Sequence, residues 1–241
     1  MISLGFIGFG EAAYYLTTDI DKSMVELYAF DVIAKDNSER AYKIRENASA
    51  NSVKLVDSLE ELSKRSKIIL CMTSANSALP ISKQVAPLLS EGQIYSDLNS
   101  TSPISYEKIG GVFKDSKADF VEAAVMASVP ANRTKVPIYV CGKMGQQMAD
   151  LLNSTGMNIK YLNENLGAAS ATKMLKSVLF KGFIALLTET VFATDKYGIT
   201  EDVLQSFKNI LFVEMTYEEC CNYFIGTMAT KWKRYYQHSS L

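Results

Sequence analysis

Six short apolar runs, at residues 2–7, 25–30, 68–72, 93–97, 118–124 and 137–141, have strand length. Polar stretches of helical period lie between them, among them residues 58–65, 75–89 and 103–113. That alternation predicts βαβ units, and hence a doubly wound, mostly parallel sheet with helices on both faces. From residue 163 the pattern changes. Residues 167–197 keep helical character, with Leu166, Ser170, Lys173, Ser177 and Phe180 on one face at steps of three and four. Gly198 then stands where a C′ glycine ends a helix, and Thr200 with Glu201 and Asp202 opens another with a cap and an acidic first turn. This places an α/β domain over residues 1–163 ahead of a smaller all-helical domain over 164–241, entered through a long helix.

Composition narrows the classes. The 241 residues allow one large or two unequal domains, and a hydrophobic fraction of 48% is ample for a buried core. A formal net charge of -1 leaves no basic excess to neutralise a phosphate backbone or anchor the chain to an anionic membrane, so no nucleic acid is expected as a partner. The most apolar long stretch, residues 177–193, contains Lys181 and Glu189 and falls short of the roughly 20 uninterrupted residues of a membrane span. No charged n-region with a cleavage site precedes the first apolar run. Cys71, Cys141, Cys220 and Cys221 show no C-x-x-C spacing, and Cys71 and Cys141 sit in strand-like runs as small hydrophobes. A soluble, cytoplasmic protein is expected. The single histidine, His238, is the fourth residue from the end, which excludes a Ser-His-Asp triad, a Cys-His pair and a multi-histidine metal site. Any proton transferred must be carried by another residue type.

The first apolar run leads into Gly8-Phe9-Gly10-Glu11-Ala12-Ala13, a G-x-G-x-x-A turn at a strand-to-helix junction. Gly8 permits the tight turn, Gly10 lets backbone approach a pyrophosphate, and small Ala13 lets the helix pack on the strand, so that phosphates meet the helix N-terminus. Asp31 closes the second run about 20 residues on, where a carboxylate binds the adenosine ribose hydroxyls. A carboxylate there repels a 2′-phosphate and favours NAD, while nearby Lys35 keeps NADP open. Thr73, just past the third run, falls at the sheet edge where cofactors bind. Gly8, Phe9, Gly10, Glu11, Ala12, Asp31 and Thr73 are thus cofactor-binding candidates. An ordinary βα turn is the alternative for the glycines, and a strand-closing turn for Asp31.

Three later segments extend this. Asp97-Leu98-Asn99-Ser100-Thr101-Ser102-Pro103 resembles the substrate segment of the β-hydroxyacid dehydrogenase family, which includes 3-hydroxyisobutyrate and, more distantly, 6-phosphogluconate dehydrogenases. Glu122 to Pro130 with the run at 137–142 resembles the block that follows, and Gly167 to Lys176 resembles the family's glycine-to-lysine helix motif. The resemblance covers about residues 1 to 200 in order and is nearest the branch with a phosphogluconate-dehydrogenase-like C-terminal domain. It implies a Rossmann domain feeding a helical domain, with a small-molecule substrate in the cleft and Lys173 as general acid/base. It also implies nicotinamide-ribose and substrate contacts at Asn99 and Ser100. Where many relatives carry Ser-Gly-Gly for the substrate carboxylate, this chain has Met126, Ala127 and Ser128; where an asparagine commonly follows the lysine by a turn, it has Ser177. The chain ends early for the family, and a homodimer through the helical domain is expected. Phe212, Tyr223, Phe224 and Trp232 fit either a partner interface or the domain's own core. An imine reductase on the same scaffold, against which Lys173 argues, and a nucleotide-binding protein without catalysis are the competing readings.

Overall fold

The computed structural model describes residues 1–211 together with residues 216 and 219. The last part of the expected helical domain, and with it Phe212, Cys220, Cys221, Tyr223, Phe224, Trp232 and His238, lies outside the described residues. In chain order the elements are β1 (Ile2–Ile7), α1 (Glu11–Thr17), β2 (Val25–Phe30), α2 (Glu39–Ala50), β3 (Lys54–Leu55), α3 (Leu59–Arg65), β4 (Ile68–Cys71), α4 (Ala75–Val85), β5 (Ile94–Asp97), α5 (Pro103–Val112), β6 (Asp119–Val125), α6 (Val129–Asn132), β7 (Pro137–Cys141), α7 (Gly145–Asn153), β8 (Asn158–Tyr161), α8 (Ala168–Asp195) and α9 (Thr200–Leu211). All six expected strands form within a residue or so of their expected bounds. The helix expected over 75–89 stops as α4 at Val85, and residues 86–88, which include Pro87, tighten into a 3₁₀ turn.

The strands build one sheet in the order β3-β2-β1-β4-β5-β6-β7-β8. β1 to β6 run parallel, β7 is antiparallel to β6, and β8 is parallel to β7. Residues 126–136 between β6 and β7 are too few for the crossover that a parallel neighbour requires, so the chain turns back on itself. Side chains alternate between two cores. Leu4, Phe6, Leu27, Leu70, Ile94, Val121 and Ile138 fill one face, and Ile7, Tyr28, Ile69, Cys71, Tyr95 and Phe120 the other. Burial on both faces explains why these strands read as continuous apolar runs. The strand order reverses direction between β1 and β4, which stay paired to their carboxyl ends, and that switch point is where open α/β sheets bind their ligands.

By chain contacts the molecule divides into two compact units, residues 1–178 and 179–241, with the division inside α8. In the first unit, Ala169 and Ser170 at the start of α8 are buried. Farther on, Leu179, Leu186 and Phe192 are exposed, as is Phe180, which the helical pattern had aligned with buried Ser170. The 28-residue α8 has a mean hydropathy of 1.4 over its most apolar 18-residue window, so by length and composition it is long and apolar enough to cross a membrane. The stretch 177–193 alone understated it, because the helix extends nine residues further toward its N-terminus. In the second unit Phe183 stacks on Phe207 at 6.1 Å between ring centroids, and Gly198 closes α8 by donating its N–H to the Asp195 carbonyl at 3.0 Å.

Candidate active site

The turn after β1 is shaped by its neighbour strand. Gly8 has φ +85°, and a Cβ placed there would lie 2.6 Å from the Met72 carbonyl oxygen and 2.9 Å from Thr73 Cγ2, so only glycine fits. Gly10 is the opposite case. It has ordinary extended backbone, φ -80° and ψ -165°, and a Cβ there would meet nothing within 4 Å. Such open space beside the first turn of α1 suits a pyrophosphate, and no side chain caps that turn. Asp31 Oδ2 accepts from Phe9 N–H and Oδ1 from Ile33 N–H, each at 2.9 Å. The carboxylate is thereby held against the glycine turn, and each oxygen keeps a lone pair for a ribose hydroxyl. Lys35, by contrast, pairs with Asp57 at 2.9 Å on the surface. Arg45, which sequence reasoning passed over, donates to the carbonyls of Ala34 and Asp36 and ties down the loop after Asp31.

The segment after β5 hangs between two anchors. At one end Asp97, fully buried, accepts from Asn99 N–H at 3.0 Å, Asn99 Nδ2 at 2.9 Å and the Tyr106 hydroxyl at 3.2 Å. The single proton of that hydroxyl is shared with the Asn99 carbonyl. At the other end Ser102 caps α5 by accepting from Ser105 N–H at 3.2 Å, with Pro103 at the first helical position. Asn99 is buried against Asp97, and exposed Ser100 follows it between the two anchors. Burial pushes the Asp97 carboxyl above its ordinary value, against the hydrogen bonds from Asn99 and Tyr106. Burial, aided by the Asp97 charge, pushes the Cys71 thiol up to about 12, so it stays protonated and inert.

Lys173 reaches this segment from α8: its Nζ donates to Ser100 Oγ at 2.7 Å. The side chain is half-buried, and desolvation lowers the pKa of its ammonium below the ordinary lysine value. One turn on, exposed Lys176 donates to the Met126 carbonyl at 3.0 Å. A cleft of about 550 Å³ gathers Ala12, Thr73, Asn99, Ser100, Met126, Ala127 and Lys173. A second hollow of about 400 Å³ shares Asn99, Ser100 and Lys173 and adds Tyr106, Ser170 and Ser177. Candidates from α1, α8 and the three loops after β4, β5 and β6 therefore line these two hollows, whereas Gly8, Phe9, Gly10, Glu11 and Asp31 are in neither lining. Ser128 is not in either lining; it stands at the start of α6, where its carbonyl accepts from Asn132 Nδ2. Glu122, quoted in the sequence only as part of a block, is fully buried and bonded to the start of α8. Its signal was available: a charge inside an otherwise apolar strand demands a partner.

The family described as the NAD-binding domain of 6-phosphogluconate dehydrogenase matches residues 3–140. An uncharacterized 28.5 kDa protein of Methanothermus fervidus is 29% identical over 202 residues, which are 84% of this chain and 74% of that protein. A solved conserved hypothetical protein from Sinorhizobium meliloti is 32% identical with a TM-score of 0.80, over 88% of this chain and 70% of that one. Another solved protein of unknown function, described as structurally similar to 3-hydroxyacid dehydrogenases, is 29% identical with a TM-score of 0.76, over 86% and 76% of the two chains. At 15% and 18% identity the fold alone is shared with a 3-hydroxyisobutyrate dehydrogenase of Mycobacterium tuberculosis, TM-score 0.74 over 86% and 70%, and an imine reductase of Myxococcus stipitatus, TM-score 0.73 over 99% and 78%.

Proposed function

The chain belongs to the family of the NAD-binding domain of 6-phosphogluconate dehydrogenase, and from that premise we propose that it is a nicotinamide-dependent oxidoreductase acting on a small hydroxy acid or its carbonyl counterpart, with Lys173 as general acid/base. The observation that carries this is the half-buried Lys173 amine 2.7 Å from Ser100 Oγ, in the cleft that Ala12, Thr73 and Asn99 also line. The nicotinamide, when bound, supplies the hydride donor or acceptor. The turn from Gly8 to Ala12 receives the pyrophosphate, Asp31 accepts from ribose hydroxyls, and Thr73 and Asn99 border the nicotinamide end. Ser100, Met126, Ala127 and Ser177 border the substrate. Lys173 takes the hydroxyl proton during oxidation and returns it to the carbonyl oxygen during reduction, a task that its lowered pKa favours.

Fluorescence titration with NADH and NADPH, followed by turnover assays across hydroxy acids, keto acids and cyclic imines, tests the reading. NADH binding together with turnover of a hydroxy/keto acid pair is expected. Nucleotide binding without turnover across the panel would favour a binding protein, and turnover of imines alone an imine reductase. Failure to bind either nucleotide would refute the cofactor assignment. NAD is the proposed cofactor, because the Asp31 carboxylate repels a 2′-phosphate and Lys35 is engaged by Asp57. Asp31→Asn is accordingly expected to shift the ratio of NADPH to NADH affinity about ten-fold toward NADPH. An unchanged ratio in that titration would remove Asp31 from the ribose site.

We also propose a homodimer formed through the helical part of the chain. Leu179, Leu186 and Phe192 on α8 are 76%, 67% and 75% exposed, an apolar surface of the kind that association covers. Light scattering at micromolar concentration is expected to give twice the mass of one chain. A monomer, or a chain soluble only in detergent, would contradict it.

A further inference from the structure

We infer that Glu122 is a positioning residue for Lys173: a buried carboxylate on β6 that clamps the first turn of α8 and so sets where the lysine amine stands. This rests on the reading of Lys173 as the acid/base. Glu122 interrupts the apolar sequence Phe120-Val121-Glu122-Ala123-Ala124-Val125 and is fully buried. A carboxylate leaves water only where other donors or charges replace its hydration. Among the described residues no ion pair includes Glu122. Its donors are backbone instead. Oε1 accepts from Ser170 N–H at 2.6 Å; Oε2 accepts from Gly167 N–H and, at 3.1 Å, from the Cys141 thiol. These amides stand at the start of α8, where N–H groups lack intrahelical acceptors and the helix dipole favours an anion.

The location gives the clamp its consequence. Ser170 precedes Lys173 by three residues on α8. Gly167, at φ +95°, lies against the first residue of α5, and a Cβ there would be 3.2 Å from Pro103 Cβ. Three segments therefore meet beside this carboxylate: α8 with Lys173, β6 with Met126 just past its end, and the β5–α5 loop with Ser100. The bonds of Lys173 to Ser100 and of Lys176 to the Met126 carbonyl join the same three segments. A slip of one residue in α8 would turn the lysine by roughly 100° and carry its amine away from Ser100.

Glu122→Gln keeps the shape but sets an amide NH₂ against one of the helix N–H donors. NADH affinity is expected to stay at the wild-type value, since the glycine turn and Asp31 follow β1 and β2. Turnover is expected to fall about ten- to a hundred-fold through kcat, as misplacement of a reacting group does. The decisive readout is the rate at which an amine-acylating reagent labels Lys173 relative to exposed Lys114, which lies outside these segments, resolved by peptide mass spectrometry well below Tm. The ratio is expected to rise several-fold in Glu122→Gln. A residue serving only overall stability would lower Tm and leave the ratio at the wild-type value, and that result overturns the inference. Should Glu122→Gln be insoluble, Glu122→Asp withdraws the carboxylate by one methylene and is expected to raise the ratio to a smaller degree; an unchanged ratio there overturns it equally. Because labelling needs no turnover, a raised ratio with unchanged kcat would support the clamp and count against Lys173 as acid/base.

Discussion

Lys173→Ala is expected to lower kcat/KM by about a hundred- to ten-thousand-fold, the range over which a positioned general acid or base acts, while leaving NADH affinity unchanged. The two effects separate because the amine bonds to Ser100 on the proposed substrate side of the cleft, whereas the glycine turn and Asp31 gather after β1 and β2. Lys173→Arg sharpens the test. Guanidinium keeps the charge but does not deprotonate in proteins, so a group needed only for its field would be rescued and one needed to exchange a proton would not. The pH profile follows with a definite sign. Oxidation requires the free amine, so its rate should rise with pH through the Lys173 pKa, and burial places that inflection below the ordinary lysine value. Reduction requires the ammonium and should fall across the same interval. Undiminished turnover in Lys173→Ala, or full rescue by arginine, would sink the proposed role.

Much of the first unit was legible because its strands are buried on both faces. Continuous apolar runs mark β1, β2, β4, β5, β6 and β7, and glycine, capping and proline signals mark the turns between several of them. The edge strands escaped. β3 is two exposed residues, Lys54–Leu55, and β8, Asn158–Tyr161, mixes polar and apolar residues as an edge strand must. Neither forms a run that periodicity can detect. The candidate site divides in the same way. The glycine turn and strand-end spacing nominated Gly8 to Ala12 and Asp31, and the family resemblance nominated Asn99, Ser100 and Lys173, each from residues near it in the chain. The Lys173–Ser100 bond spans 73 positions and the Glu122–Ser170 bond 48, and no local spacing encodes a hydrogen bond across such separations. Asp97 shows a third situation: its motif was visible, but its burial and its hold on Asn99 and Tyr106 emerge only once α5 packs on the sheet.

Gly10→Ala is expected to weaken NADH binding about ten- to a hundred-fold, the equivalent of one charge-assisted hydrogen bond to the pyrophosphate, without loss of Tm. The two glycines of the turn make this a controlled comparison. At Gly10 the backbone is extended and the added methyl meets open space, so the free protein has no reason to change. Any loss of affinity must then come from the ligand that the methyl displaces. At Gly8 the same substitution forces a left-handed φ of +85° on alanine and drives its Cβ to 2.6 Å from the Met72 carbonyl. That strain falls on the fold, at about 1–3 kcal/mol, and should appear as a lowered Tm before any nucleotide is added. Calorimetry of the free proteins and NADH titration of both variants therefore test separate halves of the turn. If Gly10→Ala binds NADH like the wild type, the dinucleotide does not approach this backbone, and the cleft beside Lys173 would have to be assigned to a different ligand.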